Sequence, residues 1–187
     1  MTYTKLTFNL FLLIFLAGCL EEGETNKQKS SNASGQVNST LAKVIPQTEK
    51  INGHIVPLDP GKLSDKTVEG VDTDKNGIRD EIDRYIAKKY GAEKIKFFAA
   101  QELANAKQLL LTTPTTDINA ATAAVNANAD SGVCLADKFE NDIVTAIRMN
   151  DDLVLRTFDT KDRQKQRQAI SFKVGQFTRS TEGVICK

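Results

Sequence analysis

The chain has 187 residues, with 25 Lys+Arg against 24 Asp+Glu, one His, three Cys and no Trp. So even a charge balance lacks the basic excess that a nucleic-acid binder normally carries, and we expect no nucleic-acid partner. A single histidine also leaves little material for His-based catalysis or a zinc site.

In chain order, residues 1–19 read MTYTKLTFNLFLLIFLAGC. Lys5 precedes an apolar run from Leu10 to Ala17, the pattern of a secretory signal. The run is too short for a membrane-spanning helix, which needs roughly 20 residues. Its end, Leu16-Ala17-Gly18-Cys19, resembles the lipobox of bacterial lipoproteins. That resemblance implies a signal peptide over 1–18, removed ahead of Cys19, and a lipid such as palmitate on Cys19 itself. Leu20, rather than Asp, follows the cysteine. By the family's sorting rule this implies an outer-membrane lipoprotein, facing the periplasm or the cell surface. Removing 1–18 takes away Lys5 alone and leaves 24 Lys+Arg against 24 Asp+Glu. Cys134 and Cys186 then remain in an oxidising compartment, where an even remainder argues for a disulfide rather than two free buried thiols. The bridge would close a loop of about 50 residues and stabilise the fold by roughly 4 kcal/mol in the chain-entropy model.

Residues 19–50 follow as a linker rich in Ser, Asn, Gln, Glu and Lys, without aromatics. Such a composition buries too little apolar area to offset its chain entropy, so a disordered tether spanning about 30 Å is expected. The folded part, 51–187, is expected to begin with a turn-rich segment, INGHIVPLDPGKLSD. Helical periodicity then takes over, with no strand alternation. Ile82, Tyr85, Ile86 and Tyr90 predict a helix over Arg79–Tyr90 that stops at Gly91. A long helix over Ala92–Leu111 carries the stripe Ile95, Phe98, Ala99, Leu103, Ala106, Leu109 and Leu110, ended by Thr112-Thr113-Pro114. A third helix is expected over Asp117–Ala129, with Asp117 near its N-cap. A fourth, over Val133–Met149, carries Leu135, Phe139, Ile143, Ala146 and Ile147 on one face, with Asn150–Asp152 as its break. Thr160–Phe177 is the last, with Ile170, Val174 and Phe177 inward. The fold class expected is all-α, a small helical bundle with one core.

The most informative stretch precedes the first helix: GVDTDKNGIRDEID, residues 70–83. Calcium takes about six to eight oxygen ligands, and a twelve-residue loop supplies them from positions one, three, five, seven, nine and twelve. Counted from Asp72, these are Asp72, Asp74, Asn76, the Ile78 carbonyl, Asp80 and Asp83, with Gly77 at the sharp turn of position six. Asp72–Asp83 thus resembles the calcium loop of EF-hand proteins, and more closely the dockerin variant, which ends in Asp. The resemblance implies Ca²⁺ as the bound ion. Position eight holds Arg79 where that loop usually has Ile or Leu, and Ile78 stands one place earlier. The preceding GKLSDKTVEGV is a poor helix, and there is no second loop. The expectation is therefore a loop–helix clamp rather than a paired sensor, beside the plainer reading of an acidic Asn-Gly turn capping a helix. Residues 58–86 also resemble a segment of exported proteobacterial proteins, a likeness that brings no activity with it.

Other features carry less. His54 lies in an Asn-Gly-His turn with no paired His or Cys, and reads as structural. No GxSxG elbow, Walker loop or dinucleotide fingerprint occurs. Lys161–Arg167 is basic and opens a helix, which reads as a solvated face or as a dock for anionic headgroups or an acidic partner. The function expected is that of a lipid-anchored, calcium-binding envelope protein acting as a non-enzymatic interaction module, with an unidentified protein partner. The alternatives are an envelope-polymer hydrolase built on a carboxylate cluster, and an inhibitor or immunity-type lipoprotein.

Overall fold

The computed structural model describes residues 47–175 and 183–186. Residues 1–46, on which the expected signal peptide, the lipid-bearing Cys19 and most of the expected linker fall, lie outside the described residues, as does Phe177. The described chain is mainly helical, as its periodicity predicts, with one two-stranded sheet. In order it runs β1 (Thr48–Ile51), β2 (His54–Pro57), a 3-10 helix (Gly61–Lys66), α1 (Asp80–Tyr90), α2 (Lys94–Thr112), α3 (Ile118–Lys138), α4 (Ile143–Thr157) and α5 (Lys161–Val174).

The hairpin corrects the expectation of a strand-free domain, and of a linker running to residue 50. β1 and β2 pair antiparallel with Thr48 opposite Pro57 and Ile51 opposite His54. The turn is Asn52-Gly53, both at positive φ (47° and 89°), the geometry that suits the strands' right-handed twist. Strands of four residues are too short to display alternation, so the Asn-Gly pair carries the signal. The hairpin docks on the end of α1. Asn52 donates to the Ala87 carbonyl at 2.9 Å, and His54 Nε2 donates to the Gly91 carbonyl at 3.0 Å. The His54 ring stacks on Phe97 with centroids 3.5 Å apart, a structural role for this histidine.

α1, α2 and α5 follow their predicted spans closely because their ends are local. Gly91 caps α1, Thr113-Pro114 ends α2, and the Thr160 side chain accepts from Arg163 N at the start of α5. The third and fourth helices divide differently. α3 continues through Gly132 to Lys138, and the chain turns at Phe139–Asp142, where Asp142 caps α4 by accepting from Thr145 N. The polar Asn150–Asp152 does not break α4. Asn150 accepts from Lys107 of α2 at 2.9 Å, and Asp152 accepts from Tyr90 of α1 at 3.0 Å. Tertiary partners thus override their weak helix propensity.

Two apolar clusters make the core. The larger joins Val56, Ile78, Ile82, Ile86, Phe97, Leu103, Leu135, Met149 and Leu153; the smaller joins Leu110, Leu111, Ala121, Ala124, Phe158 and Ile170. α2 contributes to both. Ala99, Leu103, Ala106 and Leu110 of the expected stripe are buried, but burial extends sideways to Phe97, Ala100, Ala104 and Leu111, while Ile95, Phe98 and Leu109 are exposed. Ile143 and Ile147 of α4 are exposed as well. Cys134 on α3 and Cys186 form a disulfide across 52 residues, which joins the tail to the bundle. Among the described residues no helix is long and apolar enough to cross a membrane.

Candidate metal centre

The acidic loop lies between the 3-10 helix and α1, where no entering helix forms. Its path is held from both ends. Ile78 is buried in the larger core, and the neighbouring Arg79 is fully buried on the other side. Arg79 pairs with Glu81 at 2.8 Å and donates to the Arg156 carbonyl at 2.9 Å. The residue that departs from the EF-hand pattern at position eight is therefore a second anchor, tying the loop to the corner between α4 and α5. Arg163 completes that corner. It lies in the basic run expected to face solvent, yet it is fully buried. Its guanidinium donates to the Val68 carbonyl at 3.0 Å, to Asp159 at 2.7 Å and to the Ser64 carbonyl, fastening the approach to the loop.

Inside the loop the carboxylates converge. Asp72, Asp74 and Asp80 each place an oxygen so that the three atoms lie within 4.8 Å of one another. Such a cluster could hold a metal ion. The backbone folds around it: Asp72 Oδ2 accepts from Gly77 N at 2.9 Å, and Asp72 Oδ1 accepts from Asn76 N at 3.1 Å. Gly77 has φ +83°, a left-handed conformation that a side chain would strain. Asp80 stands at the first turn of α1, and its carboxylate accepts from Thr73 N at 2.8 Å and from Thr73 Oγ1 at 2.5 Å. Asp80 N in turn donates to the Val71 carbonyl at 2.9 Å, closing the loop onto its own start.

Asp83 sits one turn into α1 and is 3% exposed. The Asn76 amide bridges it to the cluster, with Nδ2 donating to Asp83 Oδ2 and to Asp74 Oδ2 (3.3 Å). Asn76 Oδ1 accepts from Ile78 N at 2.7 Å. The other oxygen of Asp83, Oδ1, is buried without a hydrogen-bond partner among the described residues. Burial pushes the Asp83 carboxyl up to about 6, and the charges of Asp74 and Asp72 push the same way, against the opposing influence of the Asn76 amide and of nearby Gln101. Asp74 is also raised, through burial first and then through its neighbour Asp72. For Asp74 and Asp83, a nearby cation would favour the ionised form that burial and neighbouring charge oppose.

Of the residues picked out by spacing, then, Asp72, Asp74 and Asp80 meet directly, and Asn76 links them to Asp83. Three contributors carry no signal in the loop itself. Thr73 binds Asp80, while Gln101 and Asn105 reach in from α2, more than 15 residues along the chain. The described residues thus define a small helical domain with one acidic loop able to hold a cation. Comparison with family models, curated proteins and solved structures found no match to this chain.

Proposed function

We propose that the chain is a lipid-anchored protein of the bacterial envelope, held at the outer membrane through Cys19, whose helical domain binds Ca²⁺ and works as a non-enzymatic interaction module. The observation that carries the calcium reading is the convergence of Asp72, Asp74 and Asp80 beside a buried Asp83 oxygen with no partner. All the donors are hard oxygens, the set that suits Ca²⁺ rather than a thiophilic metal. In this reading Asp72, Asp74, Asn76, the Ile78 carbonyl, Asp80 and Asp83 are the ligands. Asn76 Nδ2 now stands between two carboxylates. On binding, the amide would turn its oxygen inward and the ion would take over the bridging. With Asp rather than Glu at the last position, affinity is expected on the order of micromolar to millimolar.

An interaction role is favoured over hydrolysis by where the buried carboxylates are. Those buried among the described residues are Asp80 and Asp83, both within the loop. A hydrolase would need a second, independent pair in a cleft. Two measurements test the proposal on residues 20–187 and on the whole chain. Calcium should raise the melting temperature of residues 20–187 and titrate one site, whereas no change at saturating calcium rules the clamp out. In cells, a palmitate analogue should label the whole chain and not its Cys19→Ala variant. Co-purification from membranes with and without chelator would then identify the partner.

A further inference from the structure

A single calcium loop has no twin loop to brace it, so some other surface must hold its ligands in place. Helix α2 does so with a row of amide side chains. Gln108 Nε2 donates to the Glu69 carbonyl at 2.7 Å, just ahead of the loop. Asn105 Nδ2 donates to the Asn76 carbonyl at 3.2 Å, at the loop's tight turn. Gln101 stands one turn before Asn105 on the same face, near Asp83 at the loop's far end. Positions 101, 105 and 108 have the i, i+4, i+7 spacing that lines up one face of a helix. Gly77 leaves room for that amide, since a Cβ there would lie 2.3 Å from Asn105 Nδ2.

The chemistry of this row suits a cation site. A lysine or arginine in the same places would compete with the ion for the carboxylates. A glutamate or aspartate would add to the repulsion already crowding the loop. Neutral amides orient the loop while leaving its charge for the cation. We propose that Gln101, Asn105 and Gln108 form the positioning element of the metal loop, replacing a paired loop and coupling occupancy to the packing of α2. This rests on the calcium reading above. Because α2 feeds both core clusters, ion binding would tighten the whole bundle rather than the loop alone.

The test uses residues 20–187 with Gln101→Ala, Asn105→Ala, and Lys94→Ala as a control at an exposed position of the same helix. Gln101 and Asn105 are only half-buried, so the variants should fold. Partners that orient metal ligands typically cost at least about tenfold in affinity when removed. Calcium titration should therefore give a Kd roughly tenfold weaker for each amide variant and an unchanged Kd for the control. Hydrogen exchange should show calcium slowing the α2 amides in the parent chain, and less so in Asn105→Ala. A role confined to folding would lower the melting temperature in chelator while leaving Kd and the exchange response alone, and that result overturns the proposal. If the parent chain fails to bind calcium, the metal reading falls and this inference falls with it.

Discussion

Replacing Asp83 by Asn should stabilise the chain in chelator and abolish most of its response to calcium. The carboxylate is 3% exposed, and burial raises it from 3.8 to about 6. At about 1.4 kcal/mol per unit, holding it ionised at neutral pH costs about 3 kcal/mol. The sign follows from the direction of the shift. Between 3.8 and 6 the folded chain keeps a proton that the unfolded chain has lost, so stability in chelator falls as pH rises through this window and levels off above it. The amide that takes the place of the carboxylate carries no charge, and its oxygen can still accept from Asn76. At pH 7.5 in chelator the variant should gain up to about 3 kcal/mol, roughly 10 °C in melting temperature for a domain of this size. At pH 4 the difference should largely vanish. Calcium should stabilise the parent and leave the variant nearly unchanged. Thermal and urea unfolding at both pH values, in chelator and in calcium, measure all of this. A variant no more stable than the parent in chelator at pH 7.5, or one that responds to calcium as the parent does, refutes the assignment of Asp83 as a strained ligand.

Gly77→Ala should cost about 1–2 kcal/mol, from the left-handed φ and the displaced Asn105 amide, and should weaken calcium binding in the same titration. Arg163→Met should cost about 2–4 kcal/mol, because it leaves the Ser64 and Val68 carbonyls without their guanidinium donor; urea unfolding reads it directly. Lys107→Met should be stabilising. Lys107 is 3% exposed, and burial, with Arg167 adding to it, lowers its ammonium to about 8 from 10.5. Keeping it charged at pH 7 costs about 3 kcal/mol, partly offset by its bond to Asn150, worth about 1 kcal/mol. The unfolded chain holds the extra proton between 8 and 10.5, so the parent gains stability across that range. The advantage of Met should therefore shrink from pH 7 to pH 10, and an advantage independent of pH would show that the charge is not the cause.

The helices were legible wherever their signals lie close together in the chain. A capping Thr160, a stopping Gly91 and a terminating Thr113-Pro114 act within a turn or two, and the apolar period between them survives any packing arrangement. Where a residue's state depends on a distant partner, the pattern misleads. Asn150 and Asp152 look like a helix break, yet they sit within α4 because Lys107 and Tyr90 bind them there. Arg163 looks like solvated charge, yet it is buried because Ser64, Val68 and Asp159 surround its guanidinium. Ile95 and Phe98 share a stripe with the buried Ala99 and Leu103, but the packing of the other helices shifts burial toward Phe97, Ala100 and Ala104 and leaves those two exposed.

The acidic loop divides in the same way. The order Asp72, Asp74, Asn76, Gly77, Asp80 is local: each spacing sets where one oxygen falls around a tight turn, so sequence alone determined that carboxylates would gather here and that a helix would follow. How the gathering is held could not be written there. Arg79 became an anchor only because the α4–α5 corner receives it. Asn105 reaches the loop only because α2 brings its amide against Asn76 and Gly77. Asp83 became a buried, reluctant acid only because α1 turns it into the protein. Spacing along a chain fixes which groups can meet, whereas burial and the cost of charge depend on everything that packs around them.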